Sequence, residues 1–174
     1  MDYKKALKDF FASPDISGGY SDHPDDKGGA TMMDVTLSTY TEYCRKKGLP
    51  EPTKDSLKKI SYEVWEDIFE TLFWLPCKAN EIENQVNACI LVSWAWGSGT
   101  TTAIKWMQKA LGLNPDGIIG DKTIALLEIA NPTHLCNVRA QKFKDICTAN
   151  KSQEKFLKGW LNRLEKFKKL FNIK

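Results

Sequence analysis

The sequence is short of the residues that build metal sites and disulfide frameworks. It has only two histidines, His23 and His134, which lie far apart, and no C-x-x-C pair among its five cysteines, Cys44, Cys77, Cys89, Cys136 and Cys147. A zinc site is therefore not expected, and an odd number of scattered cysteines favours reduced thiols in a cytosolic compartment. We expect neither a metal nor an organic cofactor.

Long hydrophobic runs are also missing. The most apolar stretch, residues 88–96, is too short to span a bilayer. The chain begins MDYKKALKDFF, a charged amphipathic segment that lacks the apolar run and small-residue cleavage site of a signal peptide. We therefore expect a protein that is made in the cytoplasm and has no membrane span.

A strong charge of one sign is absent from the chain as a whole. The net charge is +3, too small to indicate a nucleic-acid partner. A helix-turn-helix pattern surrounds residues 112–120, but its helices lack the Arg, Lys, Asn and Gln cluster that reads a groove. From residue 151 onward the sequence has eight Lys or Arg residues and two Glu residues, so this tail carries a net charge of +6 and the rest of the chain −3.

The apolar residues of the sequence recur mostly with helical periodicity, and β-type alternation is almost absent. Thr36 and Ser61 are candidate N-caps, and Gly48 followed by Pro50 ends a helix. Phe156, Trp160, Leu164, Phe167 and Phe171 form one apolar stripe that we expect to be core. The sequence predicts a mainly α fold with helices over residues 2–12, 36–47, 61–75, 80–96, 101–111, 121–130, 133–149 and 153–171.

One segment does not have a helical pattern. Residues 13–35 hold four glycines, two prolines and five aspartates. This composition predicts a structured loop or a short hairpin, and loops of this length inside a compact domain are usually functional. The motif within it is Gly18-Gly19-Tyr20, Pro24, Asp25, Asp26, Gly28, Gly29, Ala30, Thr31 and Val35-Thr36.

This spacing resembles glycoside hydrolase family 108, the N-acetylmuramidases once grouped as secretion activator proteins. Their approximate pattern is E-G-G-Y-x-x-x-P-x-D-x-G-G-x-T-x-x-G-[IV]-T. Residues 104–130 look like the peptidoglycan-binding half that follows in the same family, with matching residues Gln108, Leu111, Gly112, Asp116, Gly117, Gly120 and Thr123. The resemblance implies a lysozyme-like helical fold in which the glycine-rich segment forms an active-site loop or short hairpin.

The resemblance also implies a catalytic set at Ser17, Asp26 and Thr31. Cleavage of a β-1,4 glycosidic bond needs a carboxylic acid that protonates the leaving oxygen and a second group that stabilises the cation or activates water. Family 108 places a glutamate where this chain has Ser17, and a serine hydroxyl cannot replace that acid. We therefore predict an impaired or inactive muramidase.

Two other positions depart from the family pattern. Asp34 stands where the family usually has Gly, and Ser93 stands where related sequences carry Asp before a Trp-x-Trp segment. Three interpretations remain open: an engineered inactive muramidase, a natural loss of activity in a pseudoenzyme, or catalysis by a displaced carboxylate such as Asp15 or Asp22.

Aromatic and glycine residues provide the predicted substrate contacts. Pyranose rings pack well on aromatic faces, although for at least one of Trp94 and Trp96 we expect core packing instead. The predicted substrate-binding residues are Gly18, Gly19, Tyr20, Gly29, Ser93, Trp94 and Trp96. In the second half, Asp116-Gly117 and Gly120 read as turn residues. The expected core there is Leu111, Ile118, Ile119, Ile124 and Leu127.

The sequence thus predicts a muramidase-like domain over residues 1–95 and a peptidoglycan-binding-like domain over 96–174, packed together as one monomer. The implied partner is the peptidoglycan glycan strand, and the basic tail favours anionic wall polymers. The protein would reach the wall through phage lysis, as an endolysin does, or through a secretion apparatus. The alternative function is a non-catalytic module that uses the cleft to bind glycan or protein.

Overall fold

The structure is a computed structural model, and it describes residues 1–24 and 29–174. The chain divides into two compact units, Asp2–Leu72 and Phe73–Lys174, with Met1 assigned to the second. Helices dominate both units, which confirms the mainly α fold class. No helix in the described part of the chain is long and apolar enough to cross a bilayer.

The first unit combines five helices of the described chain with one small sheet. The helices are α1 (Tyr3–Ala12), α2 (Pro14–Ser17), α3 (Leu37–Lys47), α4 (Lys54–Lys58) and α5 (Tyr62–Phe69), and a π-helical segment, Glu70–Trp74, follows α5. The strands β1 (Tyr20–Ser21), β2 (Thr31–Met32) and β3 (Val35–Thr36) pair in antiparallel order β1-β2-β3. The segment 13–35 therefore contains a short hairpin, as its composition predicts.

Side-chain caps explain where α3 and α5 begin. Thr36 accepts a hydrogen bond from the backbone N–H of Thr39, and Ser61 accepts one from that of Val64. Gly48, with φ 69°, ends α3 in the left-handed conformation that glycine adopts most easily. The predicted caps and the predicted stop are confirmed.

The core of the first unit lies beneath the sheet and between the longer helices. Leu7 and Phe11 of α1 are buried, as are Val35 of β3 and Trp65, Ile68 and Phe69 of α5. Lys8 of α1 forms an ion pair with Glu66 of α5, and Lys4 pairs with Glu70 at 2.5 Å.

The second unit contains the long helices. These are α6 (Gln85–Ser98), α7 (Thr100–Ala110), α8 (Asp121–Ile129), α9 (Pro132–Ala149) and α10 (Glu154–Leu170), with a 3-10 turn at Lys151–Gln153. The predicted start of α6 at residue 80 is wrong, because the side chain of Asn84 caps the helix and Glu128 accepts the backbone N–H groups of Glu83 and Asn84.

The cores predicted for the second half are confirmed at five positions and wrong at Ile118, and the other four predicted residues are half-buried: Phe156, Trp160, Leu111 and Ile124. Leu164, Phe167 and Phe171 of the α10 stripe are buried, and Ile119 and Leu127 are buried as well. Ile118 is 69% exposed, because the turn that precedes α8 directs its side chain to solvent while its backbone serves the turn.

Candidate functional site

Ser17 is the last residue of α2, a helix of four residues that begins with Pro14. The left-handed Gly18, with φ 68°, ends the helix, and its N–H donates to the carbonyl oxygen of Pro14. The half-buried Ser17 side chain donates from Oγ to the carbonyl oxygen of Ser13, 3.1 Å away. The position predicted for the catalytic acid is thus held at a rigid corner immediately before the sheet.

The sheet brings Thr31 next to the chain that follows Ser17. Thr31 is paired with Ser21 on one side and with Thr36 on the other, so it lies on the central strand. The N–H of Met33 donates to the carbonyl oxygen of Gly19, which joins the end of β2 to the Gly18-Gly19 corner. Gly18, Gly19, Tyr20 and Thr31 therefore belong to one small structure.

The predicted carboxylate Asp26 lies outside the described residues. Gly29 follows that part of the chain with φ 64°, a conformation that L side chains rarely adopt. Ala30 is 3% exposed, and its carbonyl oxygen accepts the N–H of Leu37 at the start of α3. Gly29 therefore has a backbone role whether or not it approaches a sugar.

A tight turn connects β2 and β3. Its two central residues, Met33 and Asp34, have φ of 48° and 66°, as a two-residue type I′ hairpin requires. The indole Nε1–H of the buried Trp65 donates to the carbonyl oxygen of Met33 at 3.0 Å, so α5 holds this turn in place. Asp34 thus occupies a left-handed position at which the family pattern has glycine.

Helix α4, which the sequence analysis missed, places two lysines against β1. Lys54 Nζ is 2.8 Å from the carboxylate of Asp22, and Lys58 Nζ lies 4.6 Å from the ring centroid of Tyr20. The ammonium of Lys58 thus forms a cation–π contact with the half-buried ring of Tyr20. Only five residues long, α4 carries too little periodicity to be detected, but the capping box formed by Thr53 and Ser56 is a sequence signal for it.

A pocket of about 580 Å³ lies on α3, directly after β3. This volume falls within the range of small-ligand pockets. The exposed carboxylate of Glu42 lies on this pocket, a feature that the sequence reasoning did not identify. Its lining residues are Leu37, Ser38, Thr41, Glu42 and Arg45.

The remaining predicted contacts lie in α6, in the second unit. Ser93 is half-buried, and its Oγ donates to the carbonyl oxygen of Ile90 at 2.7 Å. Trp94 is 1% exposed, so its ring offers no face to a sugar and belongs to the core. Trp96 is half-buried with its ring centroid 4.8 Å from that of Phe73.

The motif of the second half forms a hydrogen-bond network around Gln108, which is 2% exposed. Its Nε2 donates to Asp116 Oδ1 and to the carbonyl oxygen of Ile118, and its Oε1 accepts the N–H of Gly117. Gly117 has φ 79°, and Asp116 Oδ1 also accepts the N–H of Ile118. The motif residues Gln108, Asp116 and Gly117 thus build the turn, as predicted for Asp116-Gly117.

Within residues 1–24 and 29–174 the candidate metal ligands are dispersed and the thiols are buried. No three His, Cys, Asp or Glu side chains in these ranges group closely enough to hold a metal ion. All five cysteines are free and buried, and burial raises the pKa of Cys77 and Cys89 to about 12 and that of Cys136 to about 11. Thiols with such pKa values are poor nucleophiles at neutral pH.

Two family models match the chain, one to each half. The model described as glycosyl hydrolase 108 matches residues 15–99, and the model described as a predicted peptidoglycan domain matches residues 102–165. The chain thus carries a glycosyl hydrolase 108 domain followed by a peptidoglycan domain. The family 108 model includes the corner at Ser17, the sheet and α6, and the second model includes the Gln108 network.

Solved structures agree with this family 108 assignment. Eleven chains match, among them the structure of SagA from Brucella abortus, which is 27% identical with a TM-score of 0.79. That match covers 98% of this chain and 94% of the SagA chain. No curated protein matches in sequence. The lysozyme-like, mainly α fold is therefore confirmed.

The two domain matches together support a peptidoglycan-targeting member of a muramidase family. The family models meet between residues 99 and 102, whereas the compact units meet between Leu72 and Phe73. The domain boundary at residue 95 stays a prediction.

Proposed function

We propose that this family 108 protein binds the peptidoglycan glycan strand but cleaves it very slowly or not at all, because its proton donor is missing. The ancestral reaction is hydrolysis of the β-1,4 bond after N-acetylmuramic acid. The observation that carries the proposal is Ser17, half-buried at the α2 corner with its hydroxyl donated to Ser13.

The chemistry explains why this one position decides the outcome. A sugar alkoxide is a poor leaving group and must receive a proton as the bond breaks. A serine hydroxyl does not lose its proton near neutral pH, and the Ser17 proton already lies on an internal hydrogen bond. General acid catalysis contributes about 10²–10⁴ in rate, so we expect a loss of at least that size.

Neither neighbouring carboxylate is suited to replace the missing acid. Asp15 is exposed in the first turn of α2, two residues from Ser17, and residues two apart on a helix point to different sides. Asp22 is held by Lys54 at 2.8 Å.

The rest of the proposed groove supports glycan binding. We assign Asp26 as the remaining cleft carboxylate and Thr31, on the central strand, as a hydroxyl that positions sugar or water. We further assign Gly18, Gly19 and Gly29 as positions where the backbone lies close to the sugar, and Tyr20 as an aromatic ring that stacks on it. Ser93 and Trp96 of α6 stay predicted substrate contacts of the second unit, whereas the buried Trp94 is not proposed as a contact.

Purified peptidoglycan tests the proposal directly. The unmodified chain is mixed with cell-wall sacculi; sedimentation measures binding, and the fall in turbidity measures cleavage. We expect the chain to sediment with the walls and the turbidity to stay constant over hours. Clearing by the unmodified chain would overturn the loss of activity, and failure to sediment would overturn glycan binding.

A non-catalytic role in binding a protein is the alternative, and the pocket on α3 favours it. Glu42 and Arg45 line this pocket together with Leu37, a mixed surface that suits a peptide as well as a sugar. Glu42→Ala and Arg45→Ala distinguish the two roles. Unchanged sedimentation with sacculi would assign the pocket to another partner, and weakened sedimentation would assign it to the glycan.

A further inference from the structure

Arg139 on α9 is a buried cation without a carboxylate. Arg139 is only 5% exposed. Among residues 1–24 and 29–174, no carboxylate lies within ion-pair distance of its guanidinium. Its one hydrogen bond to these residues runs from Nη1 to Ser98 Oγ at 3.0 Å. Since a buried charge is costly unless it is paired, this arrangement requires an explanation.

Aromatic rings supply part of the compensation. The guanidinium carbon lies 4.6 Å from the ring centroid of Phe143, 5.6 Å from that of Trp106 and 5.9 Å from that of Trp94. Burial, and to a smaller extent the charge of Arg163, lowers the pKa of Arg139 to about 10. The guanidinium therefore keeps its charge at neutral pH, while its Nε and Nη2 donors have no acceptor among the described residues.

The guanidinium reaches the surface at Gly97. A Cβ atom added at Gly97 would stand 2.8 Å from Nη2 of Arg139, and Gly97 itself is exposed. Any side chain at position 97 would therefore occupy the space next to this donor. The glycine keeps one edge of the guanidinium accessible from solvent.

Two more sources of positive potential are linked to Arg139, one through Ser98, which lies two residues before α7, and one through the shared ring of Trp106. Helix α7 begins at Thr100, and its N-cap residue Gly99 provides no side-chain cap. The first N–H groups of such a helix favour an anion. Lys142, one turn after Arg139 on α9, has its Nζ 5.4 Å from the ring centroid of Trp106.

We infer that Gly97, Arg139 and Lys142 form an anion site at the start of α7 that binds a peptide carboxylate of the peptidoglycan stem. The inference rests on the proposed peptidoglycan target, whose glycan strands carry short peptides that end in carboxylates. A guanidinium edge matches a planar carboxylate in a bidentate hydrogen-bonded pair, and the stem peptide supplies such a carboxylate. The ring of Trp106 packs against the peptide next to the carboxylate.

Small soluble probes test the site apart from wall binding. Isothermal titration compares N-acetyl-D-alanyl-D-alanine, its C-terminal amide and glycerol phosphate on the full chain. We expect the acid to bind and the amide and glycerol phosphate to bind at least tenfold more weakly. Equal binding of the acid and the amide, no binding of the acid, or tighter binding of glycerol phosphate would overturn the inference.

Variants locate the binding. Gly97→Ala should weaken binding of the acid at least fivefold by displacing the guanidinium edge, and Lys142→Gln should weaken it by removing one charge. Lys144→Gln, an equal change at an exposed position of the same helix, should leave it unchanged. Arg139→Lys should abolish it, with a thermal melt to confirm folding. Equal effects of Lys142→Gln and Lys144→Gln, or an unaffected Gly97→Ala, would contradict the site.

The two proposals fail in different ways. Loss of peptide binding together with normal sedimentation on sacculi would remove the carboxylate site and leave the proposed function intact. If the chain binds the peptide acid but does not sediment with sacculi, the glycan-binding proposal fails and the site stands as a peptide-carboxylate site of another kind.

Discussion

Ser17 donates its hydroxyl to the carbonyl oxygen of Ser13, one turn earlier and 3.1 Å away. This contact ties the side chain to its own helix. It also shows that a different side chain at position 17 would find a hydrogen-bond acceptor there, the carbonyl oxygen of Ser13. A hydrogen-bond acceptor next to a carboxyl group favours the protonated form of that group, which is the form a general acid needs.

Trp65 secures the hairpin that carries Thr31. Trp65→Phe removes the indole N–H that binds the carbonyl oxygen of Met33 and leaves this oxygen without its partner. We expect the free energy of unfolding, measured with urea, to fall by about 1–3 kcal/mol. Tyr62→Phe, at the exposed ring that stacks on Trp65, is the control and should change it by less than about 0.5 kcal/mol. Equal effects of the two variants would contradict this role.

Asp34 adopts a backbone conformation that favours glycine. Its φ of 66° means that a Cβ atom is strained there, and a left-handed conformation costs an L residue about 1–2 kcal/mol. We expect Asp34→Gly to be about 1 kcal/mol more stable than Asp34→Ala in urea unfolding. The alanine variant is the matched control, since both variants remove the carboxylate. Equal stability would mean that the turn carries no strain.

The side-chain amide of Gln108 stabilises the turn before α8 by hydrogen bonds. Gln108→Leu preserves the size of the side chain but leaves the carbonyl oxygen of Ile118 and the N–H of Gly117 without this partner. We expect a loss of about 1–3 kcal/mol for each orphaned group that stays buried, measured as the free energy of unfolding. Lys109→Leu, at the exposed neighbour, should have little effect. A Gln108→Leu variant as stable as the unmodified chain would contradict this role of the amide.

Tyr43 makes the first unit sensitive to alkali. Burial of its hydroxyl, followed by its hydrogen bond to Asp67, raises the pKa of Tyr43 from 10 to about 12. The phenol is neutral when protonated, so the folded state holds the proton more tightly than the unfolded state. This contribution to stability is complete below pH 10 and is lost as the pH rises toward 12.

The comparison with Tyr43→Phe isolates this effect. We expect the difference in free energy of unfolding between the unmodified chain and the variant to be constant up to about pH 9 and to shrink between pH 10 and 12. A difference that stays constant through this range would contradict the raised pKa of Tyr43.

The long helices were predictable because each carries a repeating apolar face and a recognisable start or stop. Thr36 and Ser61 show this, since both cap the helices that their positions predicted. Helices α2 and α4 were not predicted, because four or five residues do not complete a second turn. Ile118 was assigned wrongly to the core since a turn can direct an apolar side chain outward when its backbone bonds hold the turn.

The sequence predicted the part of the candidate site formed by residues close together in the chain, but not the contacts between residues distant in sequence. The composition of residues 13–35 predicted a structured loop or a short hairpin, and the structure pairs Thr31 with Ser21 and joins Met33 to Gly19 by a backbone hydrogen bond. Contacts between residues distant in sequence had no local signal. The hydrogen bonds from Trp65 to Met33 and from Arg139 to Ser98 depend on tertiary packing, which a periodic sequence pattern does not reveal.

The most direct test of the missing proton donor is to restore it. Reducing ends released from purified peptidoglycan are measured for Ser17→Glu, for Ser17→Gln and for the unmodified chain. The glutamine has the same length as glutamate but cannot donate a catalytic proton. We predict release by Ser17→Glu at least 10²-fold above that of the other two, which should not differ. Equal release by all three proteins, or substantial release by the unmodified chain, would contradict the account.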